Sequence, residues 1–367
     1  MPTTYTSTSS PEWARVINTT LINFLRKEEV NMMRNRRLTA LLQEKNRITY
    51  NWTGRETEVR VRYRRPDMTG YGDMDVVTFV RQDRWKTANL GLRGYNIPDM
   101  VTKKERLMNK GEEAVIKLFG QVGENLKKDM EDQFAEEYYV DGEATGNEKK
   151  MHGIESFMGQ GGSTTVVNGF KSPTDTFAGL LTDLSNYGGT WTGTWPDGSG
   201  PPQYDFWSPL LIDYTDADAW QDGATWATNC VEILRTAFIY CQRNGAKDGL
   251  IDMGLMSHSM YRDLLTKLAT VERHVFTAGN KSPLQAIGFR DVVQVDGTDA
   301  TWEFGIPGSK CYGFNCDKME TRSWQPQLFV AEGPDWDPTQ KAWKFSVDFF
   351  GNTFWNPRYF FKAQNYT

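Results

Sequence analysis

Between residues 56 and 142 the spacing of apolar positions changes period once. In Thr57–Arg64, Val59, Val61 and Tyr63 alternate with Arg60, Arg62 and Arg64, which predicts a strand with one covered face and one charged face. Pro66–Asp73 (PDMTGYGD) supplies turn residues. Met74–Arg81 then returns as a second β-rich run through Val76, Val77, Phe79 and Val80. From Thr102 the period lengthens. Thr102-Lys103-Lys104-Glu105 has the capping-box spacing, in which Thr and Glu side chains satisfy each other's backbone N–H groups. Leu107, Val115, Leu118, Val122, Leu126, Met130, Phe134 and Tyr138 follow in steps of three, four or multiples of four. The pattern predicts a projecting β-hairpin over 56–98 and an uninterrupted helix over 99–142. About forty residues at 1.5 Å each make a rod of about 60 Å. Steps of four drift around a helix, so Gly120 and Gly123 are the expected bend points, and Gly142 ends it.

Outside this run the elements are shorter. Residues 1–55 read as an arm whose first residues, MPTTYTSTSS, form a disordered tip. Its helical part begins at Pro11-Glu12-Trp13 and carries the basic cluster Arg34, Arg36 and Arg37. Residues 143–324 begin with a stretch rich in Gly, Thr, Ser and Trp, and 159–207 reads as a surface excursion rather than core. Strands are expected at SPLLIDYT and Leu250–Ser257, helices at Thr225–Arg243 and Ser259–Ala269, and short strands at Val292–Val295, Thr301–Phe304, Cys311–Asn315 and Met319–Ser323. Residues 325–367 are aromatic-rich and antiparallel in character. The whole is α+β.

Composition narrows the chemistry. A chain of 367 residues can bury a large core. Its net charge of −5 argues against a protein whose main work is coating nucleic acid. Thirteen Trp, fifteen Tyr and twenty Phe suggest wide interfaces as well as a core. The sequence has no run of eighteen apolar residues to span a membrane, and its first residues lack a signal-peptide pattern. Cys230, Cys241, Cys311 and Cys316 read as reduced core residues. His152, His258 and His274 lack ligand spacing, so neither a metal nor a cofactor is expected. GQGGSTT (Gly159–Thr165) lacks the Gly-Lys-Ser/Thr ending of a phosphate loop and reads as a flexible surface loop. Ser257-His258-Ser259 places neighbours in sequence rather than partners in space. No catalytic residue is expected.

The order of arm, extended hairpin, long helix, α/β region and returning strands resembles the major capsid proteins of tailed bacteriophages, the Hong Kong 97-like capsid fold. Local echoes are MHGIESFM (Met151–Met158), LIDMGLMSHSMYRDLLTKL (Leu250–Leu268) and the strand, Pro-Gly turn, strand series Val292–Ser323. The resemblance implies an N-terminal arm (1–55), an extended loop (56–98) lying over a neighbour, a spine helix (99–142), an axial domain (143–324) and returning strands of a peripheral domain (325–367). It implies copies of the chain joined as pentamers and hexamers in an icosahedral shell enclosing double-stranded DNA without gripping it, in a virion assembled in the host cytoplasm. Some relatives carry a scaffolding region of about a hundred residues before the arm; here about ten residues precede Trp13, so a separate scaffolding protein is the expected helper. The candidate inter-subunit contacts are Arg60, Arg62, Arg64, Arg81, Arg34, Arg36, Arg37 and Trp13. Some relatives join subunits by a Lys–Asn isopeptide bond, for which Lys86 with Asn352 or Asn356 has the residue types. The competing readings are a glycan-binding or glycan-degrading protein, with Trp191 and Trp195 as a platform beside Asp213, Asp216 and Asp218, and another virion subunit such as a portal or tail protein.

Overall fold

Two sheets organise the chain, and each gathers strands from distant parts of the sequence. The computed structural model describes residues 36–366 apart from 109–111, 168, 194, 246 and 272–291. In order, the first elements are α1 (Arg37–Glu44), β1 (Ile48–Thr49), β2 (Glu56–Arg62), β3 (Trp85–Gly91), β4 (Arg93–Thr102), α2 (Lys103–Met108) and α3 (Glu112–Glu137). The middle of the chain supplies β5 (Gln160–Val167), β6 (Phe170–Pro173), β7 (Thr176–Phe177), β8 (Leu180–Leu181), β9 (Leu210–Asp213), α4 (Trp226–Cys241), β10 (Met253–Met256) and α5 (His258–Val271). β11 (Val293–Val295), β12 (Thr298–Trp302), β13 (Cys311–Phe314), β14 (Met319–Ser323), β15 (Val330–Asp337), β16 (Ala342–Trp355) and β17 (Phe361–Gln364) complete it.

The first sheet runs β1-β14-β16-β15, with β4 also paired to β16 over the full length of β4. α3 lies on one face of it. Val122, Leu126, Met130, Phe134 and Tyr138, the predicted steps of four, are all buried, and the Phe134 ring meets Phe349 at 4.6 Å and Phe329 at 5.3 Å. The second sheet runs β11-β12-β10-β13-β17-β9-β6-β5. α4 and α5 contact it and each other, closing a core of Leu210, Ile212, Ile233, Leu234, Phe238, Leu264 and Phe361. The four cysteines are free and buried, as the sequence suggested.

Several expectations change. The capping box forms in both directions, with Thr102 N–H donating to Glu105 Oε2 (2.8 Å) and Glu105 N–H to Thr102 Oγ1 (3.3 Å). The helix it opens is described as α2 and as the 26 residues of α3, on either side of 109–111, which lie outside the described residues. α3 continues through Gly120 and Gly123 and ends at Glu137, short of Gly142. Leu107 is exposed. The segment 159–207 is not a mere excursion: it forms strands, GQGGSTT included, and buries Phe170, Phe177, Trp195, Phe206 and Trp207. The chain's last strand, β17, pairs with β13 and β9 in the second sheet, while β14 pairs with β16 in the first. Each sheet therefore takes strands across the boundary expected near residue 325. Most of the arm, including Trp13 and Arg34, lies outside the described residues.

Candidate assembly interface

The hairpin forms, but with a different return strand. β2 pairs with β3 from Glu56↔Gly91 to Arg62↔Trp85, and the apolar run Met74–Arg81 is not a strand. Alternation along this ribbon places Thr57, Val59 and Val61 opposite Leu90, Ala88 and Lys86 on its inner face. Thr57, Ala88 and Leu90 are buried. Tyr63 extends that contact, with rings of Tyr187 and Phe206 at 6.2 and 6.0 Å. The root of the ribbon is thus held on the chain's own segment 177–206 instead of projecting freely.

The tip is the opposite. Met68, Met74, Val76 and Phe79 are 99%, 97%, 92% and 93% exposed, and Tyr71 and Val80 are largely bare as well. A soluble chain seldom leaves so many large apolar side chains contiguous and uncovered unless something binds them.

Of the arginines marked in the sequence, Arg60, Arg62 and Arg81 are exposed and Arg64 half-buried. Arg60 lies 3.9 Å from Glu58 of its own strand. Arg62 donates to the Arg64 carbonyl (3.3 Å). Arg36 and Arg37 serve the chain's own fold. Arg36 binds Asp132 (3.0 Å) and Glu136 (2.8 Å) on α3. Arg37 is buried with its guanidinium 4.7 Å over the Trp302 ring. The N–H groups of Arg37 and Leu38 donate to the buried Glu303 carboxylate at 2.9 and 3.0 Å, a charge-assisted cap at a helix N-terminus. Glu303 carries no local signal in the sequence that would mark this role.

Where the ribbon turns into β4, a polar cluster fixes its root. Asn352 Nδ2 donates to Gly91 O (2.8 Å), and Asn352 Oδ1 accepts from His152 N–H (3.1 Å). The His152 ring lies between Asn352 and Glu143, with Nε2 3.7 Å from Glu143 Oε1. Glu143 Oε1 also accepts from Ala178 N–H, whose own carbonyl accepts from Asn89 on β3. Burial lowers the His152 pKa to about 4 and raises that of Glu143 to about 7. Asn352 is thus engaged within the chain, and the Lys86 ammonium stands over the Tyr63 ring at 5.2 Å. His152 and Asn352 are two hundred residues apart, and nothing in the sequence pairs them.

A second polar cluster ties the turn Ile154–Phe157 to β13 and β17 of the second sheet. Glu155, on the short turn Ile154–Phe157, receives Lys310 (2.9 Å), Lys362 (2.9 Å) and the Tyr312 hydroxyl. Burial alone would raise its pKa, but the two ammonium groups hold it below the usual carboxylate range.

The residues proposed for glycan chemistry have structural roles. Trp195 is buried under Arg243, and Trp191 packs against Tyr204 at 5.2 Å. Asp213 pairs with Lys171 (3.3 Å), and Asp216 accepts from the Gly169 and Asp218 amides. Ser257 Oγ meets Ser259 Oγ (3.2 Å). Among the described residues no group of acidic, histidine and cysteine side chains could hold a metal ion, and no helix is long and apolar enough to cross a membrane.

No protein-family model matches this chain, and neither does any curated protein. Solved structures do. The cyanophage A-1(L) capsid subunit is similar over 95% of this chain and 99% of its own, with a TM-score of 0.57 at 15% identity. This chain has the capsid fold. The capsid subunit of the native GTA particle is similar over 94% and 97% of the two chains (TM-score 0.52, 8% identity). The SrpI encapsulin of Synechococcus elongatus PCC 7942 is similar over 96% and 97% (TM-score 0.51, 9% identity). At these identities the likeness is one of fold, and it matches the α+β, Hong Kong 97-like arrangement expected from the order of elements.

Proposed function

We propose that this chain is the major structural subunit of an icosahedral phage shell, assembling with copies of itself as pentamers and hexamers. The observation that carries this reading is the ribbon: its root is built into the subunit, while its tip presents bare apolar side chains between arginines. A two-stranded element with an uncovered apolar end needs another surface to hold it, and in a capsid fold the available surface is the next subunit. In this reading α3 and the first sheet form a peripheral domain, and the second sheet with α4 and α5 forms an axial domain. The role is structural rather than catalytic. The shell is that of a virion put together in the host cytoplasm, with a separate scaffolding protein as helper, and it contains double-stranded DNA without gripping it.

Expression followed by gradient sedimentation and negative-stain microscopy tests the proposal. Closed particles built of five- and six-fold clusters are expected. Rings or tubes would favour a portal or tail subunit, and monomers that bind sugar would revive the glycan reading. Unassembled subunits should bind duplex DNA no better than about 10⁻⁴–10⁻⁶ M at physiological salt. A tight, salt-sensitive complex in a gel shift would contradict the proposed containment of DNA.

A further inference from the structure

Two kinds of contact hold the ribbon, one at each end of its ladder. The bonds from Asn352 to Gly91 and from Asn89 to Ala178 act at the near end, opposite Glu56 and Glu58. β2 has seven residues, so at about 3.3 Å each its far end stands about 23 Å out. There Tyr63 continues the ladder, its N–H donating to the Arg84 carbonyl (3.1 Å). Its ring sits against Tyr187 (6.2 Å) and Phe206 (6.0 Å), which meet each other edge to face at 5.2 Å. Both partners belong to the connection between β8 and β9. A bond at the near end resists swinging of the ribbon poorly, because that end moves little. A contact at the far end resists it with the whole length of the ladder as its arm.

The seat of the Tyr63 ring is itself anchored. Phe206 stacks on Trp207 (5.5 Å), whose indole N–H donates to the Phe177 carbonyl (3.3 Å). Next to Phe206, the buried Asp205 carboxylate takes Arg243 (2.9 Å), just beyond α4, and Arg358 (3.0 Å), just before β17. Ser185 N–H donates to the Tyr204 carbonyl (2.8 Å) and draws the connection into a loop. A buried carboxylate gripped by two guanidiniums is a rigid foundation, and it ties this loop to the second sheet and its helix. We propose that the connection is a brace: Tyr187 and Phe206 position Tyr63, fix the direction in which the ribbon leaves the body, and thereby select one shell size. The proposal rests on the reading that copies of this chain build a shell. Where the ribbon of one copy reaches the next, its direction sets the angle between them, and that repeated angle sets the curvature at which the assembly closes. Without the brace the ribbon still reaches a neighbour, but over a range of angles.

Spin labels at Arg62→Cys on the ribbon and Gln221→Cys on the body report the direction in the unassembled subunit, since both positions are exposed and the four native cysteines are buried. With the ring contact intact, one narrow distance distribution is expected. Tyr187→Ala should at least double its width, Tyr63→Ala should do the same, and the two together should add nothing. Tyr63→Phe, which keeps the ring, should stay narrow. Under the microscope both Ala variants should form closed particles at near-normal yield but of at least two diameters, where Tyr63→Phe gives one. An unchanged width in both Ala variants overturns the brace, whatever particles form. A wide distribution with particles of a single diameter overturns the selection of size. If the unaltered chain builds no closed particle, the shell reading fails and the size claim falls with it, while the distance distributions still decide whether the connection braces the ribbon.

Discussion

The two ends of one ribbon behave oppositely. At its root, Thr57, Ala88 and Leu90 are buried against the chain's own body, and Asn352 and His152 fix the turn into β4. At its tip, Val76 and Phe79 have the same strand-like chemistry and touch almost nothing. Periodicity reports which residues want a covered face, and it does not say whose surface covers it. The root finds its cover at 177–206. The tip has none within the subunit, which is why Met74–Arg81 is not the return strand its sequence resembles. Burial inside one copy and burial between copies leave the same mark on a sequence.

The sharpest way to test that contrast is to remove an apolar side chain at each end. Leu90→Ala should destabilise the isolated subunit by about 2–5 kcal/mol, the cost of a cavity in a core. Phe79→Ala should change its stability by no more than about 0.5 kcal/mol, as at other exposed positions, and should act on assembly alone. Chemical denaturation of both variants checks this. Equal losses would mean that the tip is folded onto its own subunit.

The root should also respond to pH in a way the tip does not. His152 is held neutral, with a folded pKa of about 4 against an ordinary 6.5, so the unfolded chain takes up its proton first. That stability is present above 6.5 and is lost as pH falls toward 4. Glu143 has the opposite sign: with a folded pKa of about 7 against 4.5, its contribution is present below 4.5 and is lost as pH rises through 7. Between 4.5 and 6.5 the two offset each other. Glu143→Gln should expose the histidine and give a loss of up to about 3 kcal/mol from pH 6.5 to 4. His152→Gln should reverse the slope, by less, because Glu143 is partly open to solvent. Denaturation of both variants across pH 4–7 decides it, and parallel profiles would show that this pair does not titrate as described.

Charge at the outer face is the smallest term per contact. Arg60, Arg62 and Arg64 should each contribute on the order of 0–1 kcal/mol to an inter-subunit contact, an effect multiplied by every copy in a particle. The triple Glu variant should fold normally and need a higher protein concentration to assemble. An unchanged critical concentration would make these arginines a solvated face.

Much of the fold is legible in local pattern. The capping box, the steps of four from Val122 to Tyr138 and the strand at Met319–Ser323 lie where spacing puts them, because each is specified by neighbours within a few residues. The misreadings are non-local. Arg36 and Arg37 look like a surface cluster until Asp132, Glu136 and Glu303, about a hundred residues or more away, are brought to them. Trp195 looks like a glycan platform until the fold buries it. The run Gly333-Pro334 is a usable signal of the register break in β15.

The central claim is that the ribbon tip is bound by another copy and is otherwise dispensable. Replacing Asp67–Val80 with a short Gly-Ser linker and measuring both subunit melting and particle formation tests it most directly. The subunit should melt as the unaltered chain does and form no closed shells in a gradient or under the microscope. Closed shells at normal yield, or a subunit that no longer folds, would contradict it.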